Sequence, residues 1–279
     1  MASEMHSVSP ETAAATYRLY REFFDLAEKK RRWRLRDDIP WKQCNPSLDP
    51  AIADVVESFC AVELFLPDYL GKFLPKIRAN RGSAWFTANW GYEESKHSLA
   101  LGDWLIHSRH RSEEQMADLE SKLYEHEWNL PMDSALGMVC YAMTQELSTW
   151  LHYRNLRLLV GPGGDPALYR LLTYISVDER AHYDFFRRIV KLHLAEERPE
   201  TLEQLRRVLN EFAMPSVYLL ADGRRRIEAV KSLHLFDAEL YYQDVYLPIL
   251  ADLGVERSEL RRRASSREIV VLSGADVAV

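Results

Sequence analysis

The sequence predicts an all-α chain built on a four-helix bundle with additional flanking helices. Three observations carry this. Glycine is scarce, 11 in 279 residues, and no Asn-Gly hairpin turn occurs. No alternating run of β-branched residues competes with helical spacing, apart from the short Ile269-Val270-Val271-Leu272 near the end. Glutamate and histidine residues in one recurring pattern fall on separate helical segments.

A first helix fits Glu11 to about Lys30. A connector with three prolines follows, from Arg34 to Pro50. Asp49-Pro50 then opens a long helix to about Ala79, because proline is tolerated in a first turn; Pro67 and Pro75 are expected to bend it. Gly82-Ser83 starts a helix running to about His110. Ser112-Glu113-Glu114 reads as the N-terminus of a shorter helix to Trp128. Pro131-Met132-Asp133 opens another to Val160, and Gly161-Pro162-Gly163-Gly164-Asp165-Pro166 is the clearest break in the chain. Helices over Pro166 to about Glu196, Thr201–Ala213 and Arg224–Leu253 complete the pattern, with Met214-Pro215 and Asp222-Gly223 between the last two. No repeat or linker divides the chain, so residues 1–279 are expected to form one domain. Its bundle core spans about 50–196, after an N-terminal helix and connector (1–49) and before extra helices (197–260) and a loose tail (261–279).

Hydrophobic residues make up 47% and charged residues 28%, ordinary for a globular protein. The net charge of −6 argues against a general nucleic-acid binder. Cys44, Cys60 and Cys140 are odd in number and form no CxxC, which argues against a disulfide framework, an iron–sulfur cluster or a zinc–thiolate site; buried reduced thiols are expected. Met1 to Ala15 carries Glu4 and Glu11 and no apolar stretch, unlike a secretory signal. No segment approaches the roughly 18 apolar residues of a membrane span. A cytoplasmic protein is expected.

Two segments read Glu-x-x-His: Glu94-Ser95-Lys96-His97 and Glu179-Arg180-Ala181-His182. On a helix, residues three apart share a face, so a carboxylate and an imidazole so placed can grip one metal ion. The motif alone is common. Its context is not: each lies on a helical segment preceded by one with a lone glutamate among apolar residues, Glu63 in Phe59–Leu66 and Glu146 in Met138–Leu147. A carboxylate in an apolar stripe is costly unless paired or metal-bound. The separations Glu63 to Glu94 and Glu146 to Glu179 are similar, 31 and 33 residues. One Glu from each of two helices plus Glu-x-x-His from each of two others is the ligand set of carboxylate-bridged di-metal bundles of the ferritin-like class. Glu63, Glu94, His97, Glu146, Glu179 and His182 are therefore the candidate ligands, and mixed N/O ligation favours iron or manganese.

At these positions the sequence resembles the soluble acyl-carrier-protein desaturases, especially their bacterial branch, from about Glu22 to Gly254. The carrying motifs are Glu93-Glu94-Ser95-Lys96-His97, Asp178-Glu179-Arg180-Ala181-His182, Glu63 four before Pro67, Gln145-Glu146-Leu147-Ser148-Thr149, Trp33 with Asp37-Asp38-Ile39-Pro40-Trp41, and Phe212-Ala213-Met214-Pro215. The resemblance implies a ferritin-like bundle holding two carboxylate-bridged Fe ions, with O₂ as co-substrate. It implies that Asp178 accepts a hydrogen bond from His97, that Trp33 lies beyond it on an electron route, and that Thr149 aids proton delivery. The implied reaction forms a cis double bond in an acyl chain tethered to acyl carrier protein.

No flavin or dinucleotide fingerprint is present, so electrons would come from an outside donor such as ferredoxin. An acidic carrier needs a basic docking face, for which Lys29-Lys30-Arg31-Arg32 with Arg34 and Arg36, and Arg224-Arg225-Arg226, are candidates. The resemblance also implies a homodimer. Alternatives are a di-iron hydroxylase or N-oxygenase on a carrier-bound or specialised substrate, and a non-enzymatic iron-binding protein. Ile175 stands where N-oxygenases carry an extra His, and storage proteins do not need the Trp33 segment.

Overall fold

A computed structural model describes residues 8–214, 219–220 and 222–261. Every regular element among them is helical. The Ile269–Leu272 segment, the expected tail beyond Arg261, and Pro215 lie outside the described residues.

Helix α1 (Pro10–Lys30) starts with Ser9 capping the Thr12 amide and Pro10 in the first turn, and ends on Lys29 and Lys30, which complement the helix dipole. Its buried Thr12, Thr16, Tyr20, Phe23 and Ala27 recur every three or four residues and face the bundle. The connector holds a short helix α2 (Leu35–Asp38) and a 3₁₀ turn (Trp41–Gln43).

The helix expected from Asp49 to Ala79 is two: α3 (Pro50–Glu63) and α4 (Leu66–Ile77). Pro67 explains the break. It has no N–H to give the carbonyl of Glu63, and its ring would clash with that carbonyl, so α3 stops there and Pro67 occupies the first turn of α4. Pro75 remains inside α4.

Helix α5 (Arg81–His107) is capped by Asn80. Helix α6 (Glu113–Leu123) opens on a reciprocal Ser112/Gln115 capping box and ends five residues before the expected Trp128. Helix α7 (Ala135–Gly164) begins after Ser134, later than the expected Pro131, because the Ser134 hydroxyl caps the Gly137 amide. It breaks at Gly161, whose φ of 63° is accessible to glycine at no steric cost. Asp165 then caps α8 (Pro166–Glu196) and also accepts from the Trp104 indole at 3.0 Å.

Helix α9 (Arg198–Glu211) follows. The helix expected over Arg224–Leu253 is broken into α10 (Gly223–Ser232), a single turn α11 (Ala238–Leu240), a π-helical turn (Tyr241–Tyr246) and α12 (Leu247–Leu253). His234 takes a left-handed φ of 53°, and Asp237 caps the restart, so no continuous helix can form. Pro248 sits in the first turn of α12.

The bundle packs α3 on α5, α7 on α8 and α5 against α8, with α1 laid on α5 and α8. Along α5 and α8 the apolar core divides. On α5, Phe86 and Trp90 belong to one cluster and Leu101 and Trp104 to another; on α8, Leu172 and Ile175 are separated likewise from Phe185 and Phe186. The polar intervals between them are level with one another. No helix among the described residues is long and apolar enough to cross a membrane. Cys60 and Cys140 are buried, Cys44 half-buried, and all three are free thiols.

Candidate metal centre

Helices α3, α5, α7 and α8 bring the six candidate ligands together. Glu63 is the last residue of α3, Glu94 and His97 lie on α5, Glu146 on α7, and Glu179 and His182 on α8; all are buried. Their atoms form two overlapping sets. Glu63, Glu94, His97 and Glu179 each offer one ligand atom within 4.8 Å of the others, and so do Glu94, Glu146, Glu179 and His182. Glu94 and Glu179 belong to both, so each could serve either of two ions.

The histidines are oriented from outside. His97 Nε2 lies 3.4 Å from Asp178 Oδ2, and His182 Nε2 lies 2.7 Å from Glu93 Oε2. Each carboxylate can only accept, so each Nε2 carries hydrogen and each Nδ1 points inward. His97 Nδ1 is 3.3 Å from Glu94 Oε2 and 3.2 Å from Glu179 Oε1. His182 Nδ1 is 3.0 Å from Glu94 Oε1 and 3.2 Å from Glu146 Oε2. Despite that closeness, Glu94 Oε1 and Glu179 Oε1 are buried without a hydrogen bond.

The carboxylates and imidazoles set one another's affinity for protons. Burial, reinforced by Glu94, pushes Glu63 well above the usual carboxylate range; burial and Glu179 do the same to Glu146. Burial and then Glu94 raise Glu179 to about 7. Burial opposes charge on the imidazoles, but Glu94, Asp178 and Glu179 outweigh it at His97, and Glu146, Glu93 and Glu94 at His182, so both are raised. Burial also opposes charge on Glu94, and the two histidines overcome it and hold Glu94 down. Divalent cations would displace these protons and satisfy the orphan oxygens. The donor set fits a pair of ions.

Asp178 also accepts from the Trp33 indole at 2.8 Å and from Arg31 Nη1 at 2.7 Å. Trp33 is buried, stacked on Tyr174 at 5.5 Å, with Lys96 Nζ 4.0 Å over its ring. Thr149 is half-buried on α7, one turn past Glu146, and lines a cavity that reaches Glu63, Glu94 and Glu179. That cavity has a volume of about 530 Å³ and is walled by apolar residues including Phe59, Val62, Phe212, Ile227 and Phe236.

Sequence reasoning missed Glu93, Arg31, Arg32 and Tyr153. Glu93 does for His182 what Asp178 does for His97, and its signal was available: each stands one residue before a Glu-x-x-His. Arg31 spans both, 3.5 Å from Glu93 and 2.7 Å from Asp178, with its side chain only 7% exposed. Arg32 Nη1 donates to Glu93 at 2.6 Å. Tyr153 donates to Glu63 at 3.2 Å. The proposed docking face is corrected accordingly. Arg31 turns inward because two buried carboxylates need its charge, and Arg226 is drawn to Glu57 at 2.7 Å; Lys29, Lys30, Arg34, Arg36, Arg224 and Arg225 stay exposed.

Comparison with known proteins agrees with this architecture. The sequence profile of the family described as "Fatty acid desaturase" matches residues 72–265. A Mycobacterium tuberculosis protein named for the acyl-[acyl-carrier-protein] desaturases, DesA1, is 24% identical over 240 residues, 78% of this chain and 70% of that one. The crystal structure of DesA2 of M. tuberculosis H37Rv, similarly named, superposes with a TM-score of 0.66 at 18% identity, covering 89% of this chain and 97% of that one. An R2-like ligand-binding oxidase with a Mn/Fe cofactor gives a TM-score of 0.56 at 19% identity, covering 87% of this chain and 94% of its own. The fold is the ferritin-like helical fold of DesA2, and its buried carboxylate–histidine cluster suits a di-metal oxidoreductase. The chain belongs to the fatty acid desaturase family.

Proposed function

We propose that this chain is an O₂-dependent di-iron desaturase that introduces a cis double bond into an acyl chain tethered to acyl carrier protein. The observation carrying this reading is the pair of overlapping ligand sets opening directly onto a cavity of about 530 Å³ whose surface is mostly apolar. Glu63, Glu94, His97, Glu146, Glu179 and His182 would hold the two irons, which supply oxidation of an unactivated C–H bond. The protein's own part is positioning and proton control. The cavity walls exclude water and lay the chain beside the cluster. Asp178 and Glu93 fix the histidine tautomers. Thr149, on the cavity wall one turn past Glu146, would hand a proton toward the bound chain. The Trp33–Asp178–His97 contacts support an inward electron path from an external donor such as ferredoxin. Lys29, Lys30, Arg34, Arg36, Arg224 and Arg225 offer charge to an acidic carrier.

Mass spectrometry tests the reading. Acyl-carrier-protein thioesters of several lengths would be incubated with iron-loaded protein, ferredoxin, its reductase, NADPH and O₂. Loss of two hydrogens from one of them is expected. Gain of one oxygen would move the reading to hydroxylation at the same centre. No change across the panel, with two irons bound, would refute an acyl-chain reaction. Metal analysis decides between iron pairs and the Mn/Fe pair of the R2-like oxidase.

A further inference from the structure

His152 is a buried imidazole of the cavity that the metal centre does not use. It lies on α7, three residues past Thr149 and seven past Gln145, so the three share one helical face, and all three line the cavity. The ring is 4% exposed. It stacks on Phe236 at 4.1 Å and 22° and meets Phe59 edge-on at 5.7 Å, which fixes its plane.

Its hydrogen-bonding state follows from one contact. Nδ1 lies 2.7 Å from the Ser148 carbonyl oxygen. That oxygen can only accept, so Nδ1 carries the hydrogen, and in a neutral ring Nε2 is left with a lone pair. Burial lowers the ring's pKa to about 4, so it is neutral near pH 7. Nε2 has no hydrogen-bond partner among the described residues. It has no proton to give, and its neighbour nitrogen is held by the backbone, so it cannot serve as a general acid. What it can do is accept a hydrogen bond on a stretch of wall where Phe59 and Phe236 flank it. A plain hydrocarbon chain has nothing to donate there and would leave a buried acceptor unpaired.

We propose that His152 Nε2 accepts a hydrogen bond from a hydroxyl on the substrate's acyl chain, so that a hydroxylated acyl chain is preferred to an unsubstituted one. This rests on the reading of the cavity as the site of a carrier-bound acyl chain. The spacing between Nε2 and the carboxylates Glu63, Glu94 and Glu179 then selects which carbon carries the hydroxyl relative to the carbons beside the cluster. Sites built around a polar substrate group discriminate strongly against analogues lacking it.

Titration calorimetry on the metal-loaded protein, without reductant so that no turnover occurs, tests this. The probes are hexadecanoyl-acyl-carrier-protein and its monohydroxy positional isomers. One isomer is expected to bind the native protein about tenfold more tightly than the unsubstituted thioester. His152→Leu, which fills the space without an acceptor, should erase that preference while holding the unsubstituted thioester as tightly or more so. His152→Gln, which returns an acceptor oxygen, should recover part of it. The inference is overturned if every isomer binds no better than the unsubstituted thioester, or if the preference survives His152→Leu. If neither kind of thioester binds, the carrier reading falls and this inference with it, so the two failures are distinct.

Discussion

Glu93 and Asp178 hold His182 and His97 in matching ways, each flanked by Arg31, so their removal should have matching effects. Glu93→Ala or Asp178→Ala frees one imidazole to rotate and leaves a buried guanidinium short of a partner. Divalent-metal affinity, measured by chelator competition, is expected to fall about 10–100-fold in each variant. Native affinity in both would show that neither carboxylate orients a ligand. His152 gives a second test through acid lability. Its pKa is depressed from 6.5 to about 4 in the folded protein. A depressed histidine binds fewer protons folded than unfolded, so its stabilising share is present above the unfolded value and is lost as pH falls from 6.5 towards 4, by about 3 kcal/mol at most. His152→Leu does not titrate and escapes that loss, so its Tm relative to the native protein should rise as pH falls through this window. A constant difference would place the ring elsewhere. Much of the candidate site was legible in the sequence, because the paired carboxylate–imidazole spacing on helices is local. Glu93 was equally legible beside Asp178. Arg31 and Tyr153 were not, since their partners lie 147 and 90 residues away.

Element boundaries record which backbone groups can be satisfied. The helices were legible from caps and apolar spacing, and most starts agree to within a turn. The two helices expected whole and found broken share one cause: a proline or a left-handed residue acts on the turn before it. Pro67 ends α3 at Glu63, which places that carboxylate at a helix terminus rather than mid-helix. His234 and Asp237 divide the chain after α10, and the resulting Phe236 and Asp237 help wall the cavity. Packing between elements was less visible. A Cβ on Gly82 would lie 2.5 Å from the Thr16 carbonyl carbon and 2.6 Å from the Tyr17 nitrogen, both backbone of α1. One on Gly91 would meet only the flexible Leu70 side chain, at 2.8 Å. Gly82→Ala should therefore force α1 off α5 and cost about 1–3 kcal/mol in urea denaturation. Gly91→Ala should cost less, because alanine's helix propensity offsets the contact by about 1 kcal/mol. Equal costs would mean that the α1–α5 approach is not tight.

At the scale of the whole molecule, α5 presents two unlike faces. One face carries Glu94 and His97 into the cluster. Tyr92 lies about 200° around the helix from Glu94, and with Trp85 and Leu99 it forms a stripe at seven-residue spacing, exposed by 48%, 53% and 60% for Trp85, Tyr92 and Leu99. Arg81 stacks on Trp85 at 4.0 Å, whereas the far end at Leu99 is open. A polar exterior is the expected counterpart of a ligand-bearing inner face, and a row of large apolar side chains in water is the usual mark of an association surface. A second copy meeting the same stripe about a twofold axis would bury both rows at once. Sedimentation velocity should therefore find a dimer for the native chain. The double variant Tyr92→Glu, Leu99→Glu should sediment as a monomer with unchanged helical circular dichroism, since neither side chain is buried within the chain. A native monomer would remove the homodimer altogether. A variant that stays dimeric would move the interface off α5, leaving the stripe to another partner.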